Sequence, residues 1–265
     1  MSPHTQIVKH CFVNVPFTRL KTDLLSVVLD NHIRPEIGLV DNVLYDEPEE
    51  EFARIAKLLK NEGLTCTLHA PFQDLIPSAL DPEILKASRN KLRKAFALLE
   101  IFEPQSIVCH PNFEPDKHGS KEEQWFEQSY ETWHELLQMA EKCEIPMMLE
   151  NTYETTPKQL KRMLQALDSP FARFCLDVGH VLAFAKNRWQ DWLPTLEPWL
   201  GQLHLHDNDG TSDAHLGVGE GVFNFKELFG YLKEQQLEPL ITLEPHSEEG
   251  LWQSFTNIKN IRLFP

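Results

Sequence analysis

Short apolar runs alternate along this chain with longer stretches whose apolar residues recur at helical spacing. The short runs are 6–13 (QIVKHCFV), 33–39 (IRPEIGL), 64–70 (LTCTLHA), 105–110 (QSIVCH), 145–150 (IPMMLE), 171–177 (FARFCLD), 201–206 (GQLHLH) and 239–244 (PLITLE). The amphipathic stretches that follow them are 17–30, 48–62, 81–102, 121–143, 157–167, a broken one at 179–199, 224–236 and 248–261. Several carry start signals: Asp46 and Pro48 precede an acidic first turn, Asp81-Pro82-Glu83 opens the third helix, and Thr156-Pro157 opens the fifth. Eight strand–helix units predict a parallel sheet covered by helices, and eight is the arithmetic of an α/β fold, the (β/α)8 TIM barrel. A doubly wound open sheet is the alternative, but it needs a glycine-rich loop after the first strand, where FVNVPFTRL has none. No linker, repeat or low-complexity tract divides the chain, so residues 1–265 are expected to form a single domain.

Charge changes the picture more than composition does. Forty acidic residues against 25 basic ones give a net charge of −15. This argues against a sequence-independent grip on polyphosphate, which needs Lys and Arg to displace counterions. Five cysteines form no CxxC pair. Cys11, Cys66, Cys109 and Cys175 lie in β-like runs and read as small buried hydrophobes in a reducing compartment. There is no signal-peptide stretch at the start and no apolar run of about 18 residues, so a cytoplasmic protein without membrane contact is expected.

The candidate chemistry lies at the strand ends. The stretch GQLHLHDNDGTSDAHLGVGEG (201–221) carries His204, His206, His215, Asp207, Asp209 and Asp213 within twelve residues. His204 and His206, two apart on a strand, share a face. Elsewhere Glu36 lies on the second strand, His69 ends the third, His110 the fourth, Glu150 the fifth and Glu244 the eighth. Asp177 ends the sixth, with His180 three residues on. In a barrel all these ends meet at the C-terminal mouth. Taken singly, a histidine there is a satisfied core residue and a carboxylate a helix cap. Taken jointly, seven strand ends each need a separate excuse, and packed carboxylates repel unless a cation neutralises them. Imidazole with carboxylate suits Zn²⁺, Mn²⁺ or Fe²⁺. His246 and Glu248 read as the start of the last helix, His118 and Asp116 as solvated loop, and Glu220 as a loop-holding residue. No GxSxG elbow supports triad chemistry.

The motifs LHAPF (68–72), CHP (109–111), LEN (149–151), LDVGH (176–180), LHLHD (203–207), DAHLGVGEG (213–221) and LEP (243–245) resemble those of the xylose-isomerase-like TIM-barrel superfamily. Its branches include endonuclease IV (the AP endonucleases) and many sugar isomerases and epimerases. The isomerase branch implies one metal held by Glu150, Asp177, His204 (or His206) and Glu244. The endonuclease IV branch implies up to three ions, Zn²⁺ or Mn²⁺, adding His69, His110, His180, Asp213 and His215.

By that resemblance the complete nine-ligand set implies a divalent-metal hydrolase of a phosphodiester, with Glu150 and Glu244 catalytic. The alternative is a metal-dependent sugar or sugar-phosphate isomerase or epimerase. Glu36, His206 and Asn151 are expected to contact substrate. The loop after His69, APFQDLIPSALDPE, lacks the basic residues of a minor-groove binder. A small-molecule substrate is therefore expected rather than duplex DNA, and a cobamide-type phosphodiester is among the candidates.

Overall fold

Within each short apolar run alternate residues face opposite ways, and the protein uses both faces. The computed structural model describes residues 5–264. Its strands are β1 (Phe12–Pro16), β2 (Arg34–Gly38), β3 (Thr67–His69), β4 (Ile107–Cys109), β5 (Met147–Glu150), β6 (Ala172–Asp177), β7 (Leu200–Leu205) and β8 (Leu240–Leu243). Each pairs in parallel with the next and β8 returns to β1, closing the expected (β/α)8 barrel.

Leu68, Leu149, Leu176, Leu203, Leu205 and Leu243 are fully buried in the main core beneath the surrounding helices. The opposite parity faces the barrel axis, where Val108, Met148 and Cys175 form a separate small cluster with Leu240. Two residues further along each of these strands the inward position turns polar: His110, Glu150, Asp177 and Thr242. Along these four strands the interior thus passes from apolar to polar toward the C-terminal mouth, while Glu36, Thr67 and Gln202 add buried polar groups from the other strands.

The outer helices are seated by local chemistry. Asp81 accepts from the backbone N–H groups of Glu83 (2.9 Å) and Ile84 (3.2 Å), capping Pro82–Ala97. Ser247 caps Glu248–Ile261 through the Gly250 N–H at 3.0 Å. Among the described residues no helix is long and apolar enough to cross a membrane.

The N-terminal region departs from expectation. The run 6–13 is not one strand: Thr5–Val8 is a helical turn and β1 begins at Phe12. Ile7 and Val8 are adjacent and both buried in the main core, a pattern that a turn of helix and a strand buried on both faces share. The expected helix 17–30 is two pieces, Phe17–Leu20 and Leu25–Asp30. Between them the Thr22 hydroxyl donates to the Thr18 carbonyl at 2.8 Å, a local competitor to continued helix. The broken stretch 179–199 is broken as expected, and it includes a five-residue π-turn, Val181–Ala185, directly after His180.

Leu203 is fully buried on the helix-facing side of β7. Leu203→Ala is expected to cost about 2–5 kcal/mol in urea unfolding. Val222→Ala, at a position 65% exposed, should change stability by less than about 0.5 kcal/mol. Equal effects would mean that Leu203 is not packed in the core.

Candidate metal centre

Glu150, at the end of β5, is the hub of the mouth. Its Oε2 lies 2.9 Å from His110 Nε2 and 3.4 Å from His69 Nε2. Its Oε1 lies 3.3 Å from His180 Nδ1 and 3.4 Å from His204 Nδ1. The same His204 nitrogen is 3.3 Å from Glu244 Oε1, which also accepts from Asn14 Nδ2 at 3.1 Å. On the far side His206 Nε2 sits 3.1 Å from both oxygens of Asp177. His180, His206, Asp213 and His215 bring ligand atoms within 4.8 Å of one another, as do His69, His110 and Glu150, and as do Glu150, Asp177 and His180.

Backbone carbonyls set three of the imidazoles. Nδ1 lies 2.9 Å from the Ala70 carbonyl in His69, 2.9 Å from that of Asn151 in His180, and 2.8 Å from that of Glu244 in His215. A carbonyl only accepts, so each Nδ1 carries a proton and donates it, leaving the Nε2 lone pair inward in the neutral ring. Each Nε2 then faces a carboxylate: Glu150 at 3.4 Å from His69, and Asp213 at 3.5 Å from His180 and 3.2 Å from His215. Lone pair against carboxylate is repulsive without a proton or a cation between them. The residues therefore fit a divalent cation bound by imidazole and carboxylate, with the outer ring nitrogens tied down as metal-binding histidines require. Four buried atoms left without a hydrogen bond, His204 Nδ1, His206 Nδ1, Asp213 Oδ1 and Glu36 Oε1, lie in this same region.

With no cation, protons answer the carboxylates. Burial disfavours a charged His180, yet Asp177 and then Asp213 and Glu150 hold its pKa well above the ordinary value. His215 is pushed up to about 9 against its own burial by Asp213 and Glu244. Glu150 stays well below the usual carboxylate range because His204 and His110 outweigh its burial. Glu244 moves the other way: burial raises its pKa, His204 opposes, and the charges of Glu150 and Glu36 add to the rise.

The loop bearing Asp213 and His215 is folded around Asp207. Its carboxylate accepts from the N–H groups of Asn208 (2.9 Å), Phe223 (3.0 Å) and Gly219 (3.2 Å). A Cβ at Gly221 would stand 2.4 Å from Asp207 Oδ1, so this close approach needs glycine. Glu220 accepts from the Gly217 N–H at 2.8 Å, the loop-holding contact expected for it. His215, at φ 46°, stacks between His206 (3.7 Å) and His246 (3.8 Å).

Above these groups opens a cavity of about 1130 Å³. His69, His110, Glu150, His180, Asp213, His215 and Glu244 line it, and Phe72, Ile76, Ile84, Tyr153, Phe184 and Leu251 supply apolar wall. Phe72 stacks on His110 at 4.6 Å and Phe184 packs on His180 at 5.3 Å.

Residues 36–261 match one family across most of the chain. The chain belongs to the xylose isomerase-like TIM barrel family. It is 28% identical over 184 residues to the uncharacterized protein MJ1311 of Methanocaldococcus jannaschii, covering 67% of this chain and 63% of that one, less than two thirds of its length. In structure this family member is similar to a D-tagatose 3-epimerase-like protein (TM-score 0.80, 22% identity, 95% and 97% of the two chains). It is also similar in fold to the protein TTHB071 from Thermus thermophilus, soaked with ZnCl2 (TM-score 0.78, 20% identity, 95% and 97%). At these identities the likeness is one of fold.

The structure brings all nine expected ligands into one region, and seven of them line the cavity; Asp177 and His204 are buried beneath its wall. The three expected substrate contacts, Asn151, His206 and Glu36, do not line the cavity. Asn151 spends its side-chain amide on the Asp177 backbone, donating to the carbonyl and accepting from the N–H, each at 2.9 Å. His206 is fully buried against Asp177, and Glu36 is fully buried within the barrel; neither lines the cavity.

The loop 111–121 also differs from a solvated coil. Pro115–His118 is a helical turn, and His118 lines the cavity and packs on Phe113 at 5.8 Å. Asn14 is a site residue that the sequence pattern hides, because the apolar run suggests an earlier β1; it is the polar inward position of FVNVP.

Glu154 holds the rim, accepting from the Thr152 N–H at 2.7 Å and the Phe113 N–H at 3.1 Å. Burial raises its pKa to about 6, against the pull of those donors. A raised folded pKa means that the protonated form stabilises the fold fully below the unfolded value and that this is lost as pH rises through about 6. Wild type should therefore lose about 2 kcal/mol relative to Glu154→Gln between about pH 4.5 and pH 7; parallel unfolding curves would refute this.

A Cβ at position 179 would lie 2.0 Å from His206 Cε1. Gly179→Ala is expected to cost about 1–3 kcal/mol and to lower bound metal measured by elemental analysis. Wild-type values of both would mean that the His206 ring is not confined there.

Proposed function

We propose that the chain is a metal-dependent isomerase or epimerase of a sugar or sugar derivative. The observation that carries this reading is the convergence of Glu150 and Glu244 on one nitrogen, His204 Nδ1, at 3.4 and 3.3 Å. Proton transfer at a carbon beside a carbonyl needs two such groups about one substrate position. Glu150, Asp177, His204 and Glu244 would hold the divalent cation, whose charge polarises carbonyl and hydroxyl oxygens.

The side chains supply the proton chemistry. Glu150, buried at the hub of the mouth, takes the proton from the substrate carbon. Glu244, with its pKa raised by burial, is suited to return one. Two carboxyls whose surroundings drive their pKa values apart make an acid–base pair. The fold likeness to a D-tagatose 3-epimerase-like protein supports the same reading. At about 1130 Å³ the cavity lies above the range of about 300–1,000 Å³ that encloses drug-sized ligands. A sugar bearing a further, partly apolar group suits it better than a free hexose.

A second reading, hydrolysis of a small phosphodiester, is favoured by one further observation. His69 and His110 on one flank, with His180, Asp213 and His215 on the other, offer ligands for additional cations. One-metal isomerisation does not use them as ligands.

Incubation with ketoses in heavy water should place deuterium at the exchanging carbon, read by NMR. Glu150→Gln and Glu244→Gln should each slow exchange by about 10²–10⁴-fold. Absence of exchange, together with two or more metals per chain and cleavage of an aryl phosphodiester, would replace the first reading by the second.

A further inference from the structure

Glu36 is a carboxylate fully buried on β2, in the interior of the barrel. It neither lines the cavity nor reaches solvent. A lone ionised carboxylate there would be very costly, so its partners reveal its use. Oε2 accepts three hydrogen bonds, from Gln202 Nε2 (2.6 Å), Thr67 Oγ1 (2.9 Å) and Thr242 Oγ1 (3.0 Å). Those donors come from β7, β3 and β8, so the carboxylate is gripped from three sides. Oε1 lies 3.1 Å from His204 Nε2, at ion-pair distance, and has no hydrogen bond from any other group. Gln202 Nε2 also lies 3.3 Å from that ring nitrogen, but its two hydrogens have nearer acceptors in Glu36 Oε2 (2.6 Å) and Thr242 Oγ1 (3.0 Å).

We infer that Glu36 is a positioning residue for His204: it fixes Nε2 as the protonated nitrogen and presents the Nδ1 lone pair to the cation. The two ends of the ring make the case. Nε2 faces Glu36 below, while Nδ1 faces Glu150 and Glu244 above and has no hydrogen bond of its own. The ring can donate from Nε2 and ligate through Nδ1 only in one tautomer, and a carboxylate at Nε2 selects that one. Such outer carboxylates also raise the basicity of a ligating imidazole. The grip on Oε2 keeps Glu36 from turning away, because rotation would strand three buried donors. A purely structural Glu36 would need its hydrogen-bonded oxygen; the oxygen against His204 would add nothing.

This inference rests on His204 being a metal ligand, as in the reading above. It is tested by metal affinity rather than turnover, so it can fail while the isomerase assay succeeds, and the reverse. Zn²⁺ titrated into metal-free protein by calorimetry should bind about 10–100-fold more weakly in Glu36→Gln. In a His204→Ala background the same substitution should change affinity by less than about twofold, because a positioning residue has nothing left to position. An equal loss in both backgrounds, or no loss in the first, overturns the inference.

Should Glu36→Gln not fold, the wild-type protein loaded with Zn²⁺ still decides. Long-range ¹H–¹⁵N NMR should show His204 protonated at Nε2 and bare at Nδ1. The opposite tautomer refutes the role of Glu36, and a wild-type chain that binds no Zn²⁺ refutes it together with the metal centre.

Discussion

The structure depends on keeping five carboxylates out of water inside one barrel mouth. Glu36, Glu150, Asp177 and Glu244 are buried, and Asp213 is largely so. Desolvation alone would protonate them. Each is instead met by imidazole: His69, His110, His180, His204, His206 and His215 all lie within ion-pair distance of at least one carboxylate. Such a cluster is stable metal-free only because protons can replace a cation, and its donor atoms are arranged as a cation would use them.

Everything near the mouth serves that arrangement. Strand parity separates the leucines that pack under the helices from the ligands that point inward. Backbone carbonyls at Ala70, Asn151 and Glu244 orient three rings, and Asn151 locks β5 to β6 behind them. Gly179 leaves room for the His206 ring. Asp207 folds the loop that returns Asp213 and His215 to the site. The apolar wall above is a different surface, built from Phe72, Ile76, Ile84, Tyr153, Phe184 and Leu251.

Family membership fixes the scaffold, and a scaffold does not fix chemistry. What separates the two readings is how many of the converging ligands work as ligands. Four of them suffice for proton transfer at carbon. The flanking histidines, beyond that need, leave room for more charge than a carbonyl substrate requires.

The sequence alone determined the barrel and most of the site. Eight apolar runs, seven of them carrying an ionisable residue at or near their ends, specify a parallel closed sheet, because strand ends of such a sheet must meet. LHLHD and DAHLGVGEG hold residues that the fold brings to the mouth, His204, His206, Asp213 and His215. The N-terminal turn was illegible, since adjacent Ile7 and Val8 read equally as strand or helix. So were the roles of Glu36, His206 and Asn151. A residue type tells what a side chain can bond to; only the packed barrel decides whether its neighbour is a cavity, another strand or the back of a histidine. Tertiary structure placed Glu36 beneath His204 rather than at the cavity wall, because the inward parity of β2 puts that carboxylate level with Thr67 of β3 and within reach of the ring.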